Sequence, residues 1–342
     1  MKFKLVNLFL LSVIGLSAQN KTKEQWEYLF NGKDLKGFVQ LNGKASYRVE
    51  QGEIIGTTVL NQPNSFLATE KEYGDFIFEV DFKVNDQMNS GVQFRSEQKT
   101  ESDKCKVTDK KTPNRVHGYQ MEIDPSDRAW SGGVYDEARR DWLYTLENNL
   151  AAKKAFKHND WNTYRIECIG NSIRTWVNGI ACAHVIDDMT PKGFIALQVH
   201  AVSDPKNVGE EIRWKNVRIQ TKNLKPAAPD NIFVVNLLVN NISEDEKRMG
   251  VYLLFDGKTT SGWRGANKEF FPDKTWQVKE GNLIVTKGQS AESQNGGDIV
   301  TTNEYSAFDL QFEFQITDTA NSGVKYFVTE KEKTAGSAIG LE

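Results

Sequence analysis

Two stretches of this chain occur twice, in the same order and at matching spacing. "YLFNGKDLKGF" (28–38) is answered by "LLFDGKTTSGW" (253–263), and "YGDFIFEVDFKVNDQMNSGVQF" (73–94) by "YSAFDLQFEFQITDTANSGVKY" (305–326). Such self-similarity marks an internal duplication, so one architecture must satisfy both copies. The first copy runs from 25 to 221 and the second begins at 251. In register, Gly340 answers Gly118 and Glu342 answers Gln120. The second copy therefore holds only the N-terminal half of the domain and stops before the position of Glu122. Half a β-domain cannot close its sheets, so the sequence is expected to be a piece of a longer chain.

The repeated unit reads as all-β. "DFIFEVDFKV" alternates apolar and polar residues, as do "TYRIECIG" and "SIRTWV". Asn178-Gly179 is a hairpin signal. Strand-like runs about every ten residues suit a β-sandwich or jelly roll. The stretch 137–155, "EARRDWLYTLENNLAAKKA", lacks a helical stripe and reads as a long loop with a helical turn.

Residues 222–250 are expected to link the copies. "TKNLKPAAPD" (221–230) is polar and contains proline, and "FVVNLLVNN" is apolar enough to pack on either copy. "SEDEKRMG" (243–250) predicts a short helix, with Ser243 and Glu246 at capping-box spacing and Gly250 at its end.

At the N-terminus, "MKFK" precedes a short apolar run, "LVNLFLLSVIGL", and the small residues of "SAQ" (17–19). This predicts a signal peptide over 1–19 and an exported protein, periplasmic or extracellular. The run is too short to span a bilayer. A formal net charge of -3 gives no reason to expect nucleic acid as a partner. Four histidines and three cysteines are too few and too scattered for a zinc pattern. Cys168 and Cys182 fall on consecutive predicted strands, which leaves open a disulfide or two buried thiols.

Side chains alternate between the two faces of a strand. In "GYQMEID" (118–124), Tyr119, Met121 and Ile123 share one face, while Gln120, Glu122 and Asp124 share the other. In "NSGVQFR" (89–95), Asn89, Gly91, Gln93 and Arg95 stand opposite Ser90, Val92 and Phe94. In "IALQVH" (195–200), Gln198 and His200 stand opposite Ile195, Leu197 and Val199. If the three strands share a sheet, their polar sides form one surface. A solvated outer face is the ordinary reading. Amides and planar ionic groups, with little Lys or Thr, instead suit bidentate bonding to vicinal hydroxyls. The loop after residue 124 adds Tyr135 and Trp142, whose rings suit the C–H face of a sugar. A carbohydrate is thus the expected partner.

In their order, "LFNGKDLKGF", "GDFIFEVDFKV", "NSGVQFR", "GYQMEID", "WNTYRIECIGNSIRTWVNG" and "GFIALQVH" resemble the 3-keto-disaccharide hydrolase family, formerly only a domain of unknown function. The likeness covers the first copy and reaches into the second. It implies a concanavalin A-like, laminin-G-like jelly roll, export, and action on glycosides oxidised at C3. A C3 ketone acidifies the C2 hydrogen, so cleavage needs a base, an acid for the leaving group and a cation at the enolate oxygen. Glu122, Asp124, His200 and Arg95 are the expected catalytic set, with Gln93, Gln120, Tyr135, Trp142 and Gln198 binding substrate. A divalent metal ion on Glu122, Asp124 and His200 is the alternative electrophile to Arg95. A non-catalytic, lectin-like module on the same fold is the alternative function. In the second copy Lys325 answers Gln93 and Phe327 answers Arg95, so no active site is assigned there.

Overall fold

The computed structural model describes residues 26–100, 107–108, 114–285, 297–331 and 339–342; the expected signal peptide lies outside them. The first strands in chain order are β1 (Glu27–Tyr28), β2 (Phe38–Asn42), β3 (Ser46–Glu50), β4 (Glu53–Thr57), β5 (Ser65–Thr69), β6 (Phe76–Val84), β7 (Ser90–Gln98) and β8 (Val116–Ile123). After them come β9 (Val134–Glu137), β10 (Asp141–Tyr144), β11 (Asn162–Ile169), β12 (Ser172–Val177), β13 (Ile180–Ile186), β14 (Phe194–Val199), β15 (Glu211–Gln220) and β16 (Val235–Asn236).

They make an all-β jelly-roll sandwich. One sheet runs β16-β13-β12-β11-β6-β15-β4-β3, with β1 on β15, and the other runs β10-β9-β8-β7-β14-β5-β2. The alternation of β6 fixes its place. Phe76, Phe78, Val80, Phe82 and Val84 all enter the core between the sheets. Burying each such side chain contributes about 1.5–3 kcal/mol. From the facing sheet come Val92, Phe94, Tyr119, Met121, Ile123, Ile195, Leu197 and Val199. The apolar half of each of these patterns thus enters the core, and on β7, β8 and β14 the polar positions that stay in register are left on the outer side of the second sheet.

Three local features differ from the sequence reading or refine it. The stretch 137–155 is not only a loop: Asp141–Tyr144 forms β10, paired to β9 through Trp142 and Tyr135. The tight turn is made by Ala138 and Asp141, both at positive φ. The only helix in that stretch is the four-residue α1 (Leu150–Lys153), capped by Asn149. Cys168 and Cys182 are free buried thiols on β11 and β13, with β12 between them, and burial pushes both up to about 12.

The segment after 221 is docked on the first copy. Arg174 bonds the Ala227 and Ala228 carbonyls and pairs with Asp230. β16 adds a parallel strand beside β13. Next comes α2 (Glu244–Arg248), with the full Ser243–Glu246 capping box. No helix among the described residues is long and apolar enough to cross a membrane.

Beyond residue 250 the described strands form three two-stranded ladders: β17 (Trp263–Gly265) with β20 (Ile299–Thr301), β18 (Trp276–Lys279) with β19 (Asn282–Val285), and β21 (Tyr326–Thr329) with β22 (Ile339–Leu341). The last ladder repeats the register of β7 and β8. Tyr326 faces Leu341 as Phe94 faces Tyr119, and a register shift comes next in both. Phe327 and Arg95, the residues at that shift, both have positive φ. The Phe312 and Phe314 side chains, which answer Val80 and Phe82, are exposed.

Candidate functional site

Strands β8, β7 and β14 are neighbours, which brings the polar residues of three separate segments onto one face. Gln93 lies opposite Gln120, and Gly91 opposite Glu122. Ala196 lies opposite Gln93, which sets Gln198 on the same face beside Gly91. Over this face lies a cavity of about 390 Å³, lined by Gln120, Glu122, Gln198 and His200 together with Tyr135 and Trp142. Six of the nine expected site residues therefore share one cavity.

Its central group is Glu122, only 6% exposed. Asn89 Nδ2 donates to Glu122 Oε1 at 2.6 Å, and Gln120 Nε2 donates to Oε2 at 2.6 Å. Gln120 is in turn oriented from behind. Ser96 Oγ donates to Gln93 Oε1 at 2.6 Å, and Gln93 Nε2 donates to Gln120 Oε1 at 2.7 Å. Each amide in this chain has its oxygen occupied by a donor, so its N–H must point onward, and the chain ends on a carboxylate oxygen. Gln93 is thus a buried positioning residue behind the cavity. Burial pushes Glu122 up to about 7; the Asn89 and Gln120 amides pull it back, and the charges of Asp124 and Glu137 raise it further. With one amide already on each oxygen, a proton gained by Glu122 must take a lone pair that the amides leave free.

His200 Nδ1 lies 2.8 Å from the Ala201 carbonyl oxygen. A carbonyl can only accept, so Nδ1 carries the hydrogen and Nε2 the lone pair. Burial holds the His200 pKa below the usual imidazole value, against the Ala201 bond, which raises it. Gln198 is fully buried, and neither atom of its amide has a hydrogen-bond partner. A native structure rarely leaves such a group unsatisfied, and here it lines the cavity.

Three expected site residues are placed elsewhere. Arg95 is off the face: it falls at the register shift between Phe94 and Glu97, with φ of 42°. A bulge adds a residue to one strand and re-aims the side chains at and beyond it. The Arg95 guanidinium bonds the Gly74 and Gly170 carbonyls and pairs with Asp75 at 3.1 Å. Asp124 lies just past the end of β8. Its Oδ1 accepts from Ser126, and its Oδ2 accepts from Arg128 Nε at 2.7 Å. Of the candidate metal ligands, Asp124 is therefore committed to its own loop. Among the described residues no group of three or more His, Cys, Asp or Glu side chains is placed to hold one ion. Gln93, the third, stands behind Gln120 and does not line the cavity.

Period-two reading also missed part of the wall. Arg128, tied down by Asp124, lies over the rings of Trp130 (4.5 Å) and Trp142 (5.0 Å) and brings a cation to the cavity. Trp142 makes edge contacts with Trp130 and Tyr135 at 4.8 and 5.3 Å. Tyr135 Oη donates to Asp141 at 2.8 Å. Glu137, on β9, is buried and paired with Arg115; burial raises its pKa, opposed by Arg115 and Asn64. Asn64 also accepts from the Ala201 N–H at 2.9 Å, beside His200. Asn64, Arg115 and Arg128 lie outside strands and meet the face only through the fold.

Residues 25–220 and 250–342 match the model of the 3-keto-alpha-glucoside-1,2-lyase-like domain. The chain belongs to this family. The chain is 33% identical over 95 residues to a 3-keto-disaccharide hydrolase of Bacteroides thetaiotaomicron, a match taking in 26% of this chain and 32% of that protein. The matched part is thus about a third of the relative's length. Among solved structures, the kappa-carrageenase of Pseudoalteromonas carrageenovora aligns at a TM-score of 0.38 and 11% identity, over 60% of this chain and 98% of that one. A carbohydrate binding module of Bacillus subtilis aligns at 0.34 and 14%, over 54% and 95%. For this member of the 3-keto-alpha-glucoside-1,2-lyase-like family, the Glu122 cavity is the candidate active site.

Proposed function

We propose that the first copy is a carbohydrate-active enzyme that cleaves 3-keto-glycosides by elimination across C1 and C2, and then by hydration. The observation that carries this reading is Glu122: a carboxylate on the cavity wall, fixed by two amides, with a pKa raised to about 7. A group poised near neutral pH can both take and return a proton.

Glu122 removes the C2 hydrogen, made acidic by the C3 ketone, and the C–H electron pair becomes the C2=C3 bond of an enolate. Negative charge gathers on the C3 oxygen, where Arg128, held over Trp142 by Asp124, is the cation of the cavity wall. The enolate then re-forms the ketone. Its electrons make a C1=C2 bond, the C1–O bond breaks, and the leaving oxygen takes the pair together with the proton from Glu122. Water adds across the enone and gives the free 3-keto sugar. Elimination accounts for the word lyase in the family's name, and hydration for the word hydrolase in that of the Bacteroides relative. Ordinary glycoside hydrolysis would instead need two carboxylates flanking the bond. Export is proposed on the pattern of residues 1–19.

A lectin-like module is the second reading, favoured by the unpartnered Gln198 amide, which serves binding equally well. The test uses a 3-keto disaccharide in deuterated water. Exchange at C2 and release of a 3-keto sugar are expected, with neither from the unoxidised parent. Binding without exchange or release would leave the lectin reading standing.

A further inference from the structure

Asn89 and His200 form a wall common to two cavities. The second, of about 190 Å³, is lined by neither Gln120 nor Glu122. Its floor includes Met88 and Val202, and its rim carries Gln87, Ser203, Asp204 and Asn207. Both sides are braced. Asn207 N donates to the Asp204 carbonyl at 3.0 Å, and Thr58 Oγ1 donates to the Asn207 carbonyl at 2.6 Å. Asn61 N donates to the Val202 carbonyl at 2.9 Å, and Met88 N to the Asn85 carbonyl at 3.2 Å.

We infer that this second cavity is the leaving-group subsite, built for a hydrophilic moiety such as a second sugar ring. The inference rests on the proposed elimination at Glu122. Asn89 holds Glu122 and also borders the second cavity, so a ligand reaching from one to the other places the broken bond beside the carboxylate. The lining has the amphipathic plan of a sugar. An apolar floor suits the C–H face, and the amides of Gln87 and Asn207 with the Ser203 hydroxyl suit equatorial hydroxyls, while the Asp204 carboxylate is held by Lys206. Among the described residues no phenyl, phenol or indole ring lines it. An aryl leaving group would cover those rim groups without bonding them, which costs affinity.

The test compares the full chain with a Gln87→Ala/Ser203→Ala variant, both positions being exposed and on the rim. A 3-keto disaccharide and a methyl 3-keto-glucoside are used, each for turnover and for binding by calorimetry. The variant should lose about three- to tenfold in KM or affinity for the disaccharide, the value of one or two net hydrogen bonds, and nothing for the methyl glycoside. Equal loss on both ligands, or loss on neither, overturns the subsite. If the unmodified protein turns over neither ligand, the enzyme reading fails, and the calorimetric difference still decides whether the cavity takes a second ring.

Discussion

Gly91 lies under the Gln120 amide so closely that a methyl group at 91 would stand 2.5 Å from Gln120 Cδ and 2.8 Å from Nε2. Residue 91 is opposite Glu122 in the ladder, so the space above this glycine is what lets Gln120 reach the carboxylate. Gly323 and Glu342, the equivalent pair in the second copy, show the same close approach.

Gly91→Ala should therefore act on the site more than on the fold. The atoms displaced belong to a side chain rather than to backbone, but Gln120 is buried and bonded to both Gln93 and Glu122, so a stability cost of about 1–3 kcal/mol is expected. Ligand affinity should fall as Gln120 swings off Glu122. A double-mutant cycle checks this: with Gln120 already changed to Ala, Gly91→Ala should cost almost nothing further in affinity. Full additivity in calorimetry would disprove the coupling.

Arg95→Met tests a residue that strand periodicity placed on the wrong side. Losing the guanidinium strands the Gly74 and Gly170 carbonyls and the partner Asp75. A stability loss of at least about 2 kcal/mol is expected, as for other broken bonds to a buried charge. The affinity of the folded protein should not change. A fall in affinity with an unchanged melting curve would return Arg95 to the ligand.

These cases show how far the site is readable from the chain. Period two holds while a strand stays in register, which is why Gln120, Glu122 and Gln198 come together. It fails at the first bulge. The one hint lay in the duplication: Phe327 stands where Arg95 does, and an aromatic residue suits a core side better than a polar face. Asp124 fails differently. β8 ends at Ile123, and the next turn supplies nearer partners than any ligand. The sandwich itself was legible because β6 spells its buried side. Asn64, Arg115 and Arg128 reach the cavity from outside the strands, and no local pattern encodes that approach.

Arg128 and Asp124 should behave as one unit. Arg128 is partly exposed, so their ion pair adds little to stability, under about 1 kcal/mol. Its value lies in holding the guanidinium over Trp142. Arg128→Ala and Asp124→Ala should each lower kcat/KM on a 3-keto-glycoside, and the double variant should be no worse than Arg128→Ala alone. If Asp124→Ala reduces activity further in the Arg128→Ala background, the carboxylate has a role of its own.

The pH behaviour of Glu122 gives a test independent of any substrate. Its folded pKa is about 7, above the ordinary 4.5, because burial disfavours the charge. Below pH 4.5 the group is protonated in both states and makes no difference. Between 4.5 and 7 the unfolded chain ionises while the folded protein keeps its proton. The folded state then binds more protons, and stability falls as pH rises, levelling off above about 7. At about 1.36 kcal/mol per unit the total is about 3 kcal/mol. Glu122→Gln should flatten the melting temperature between about pH 5 and 7 relative to the parent. On a 3-keto substrate it should also lower turnover by about 10²–10⁴, the usual worth of a general base. His200 is the rival base: its Nε2 lone pair is available, and burial keeps the ring neutral into acidic pH. If His200 were the base, the kcat/KM profile would rise below the ordinary imidazole value, and His200→Ala would abolish turnover while Glu122→Gln kept it. With Glu122 as the base, the profile rises through about 7, and that rise disappears in Glu122→Gln.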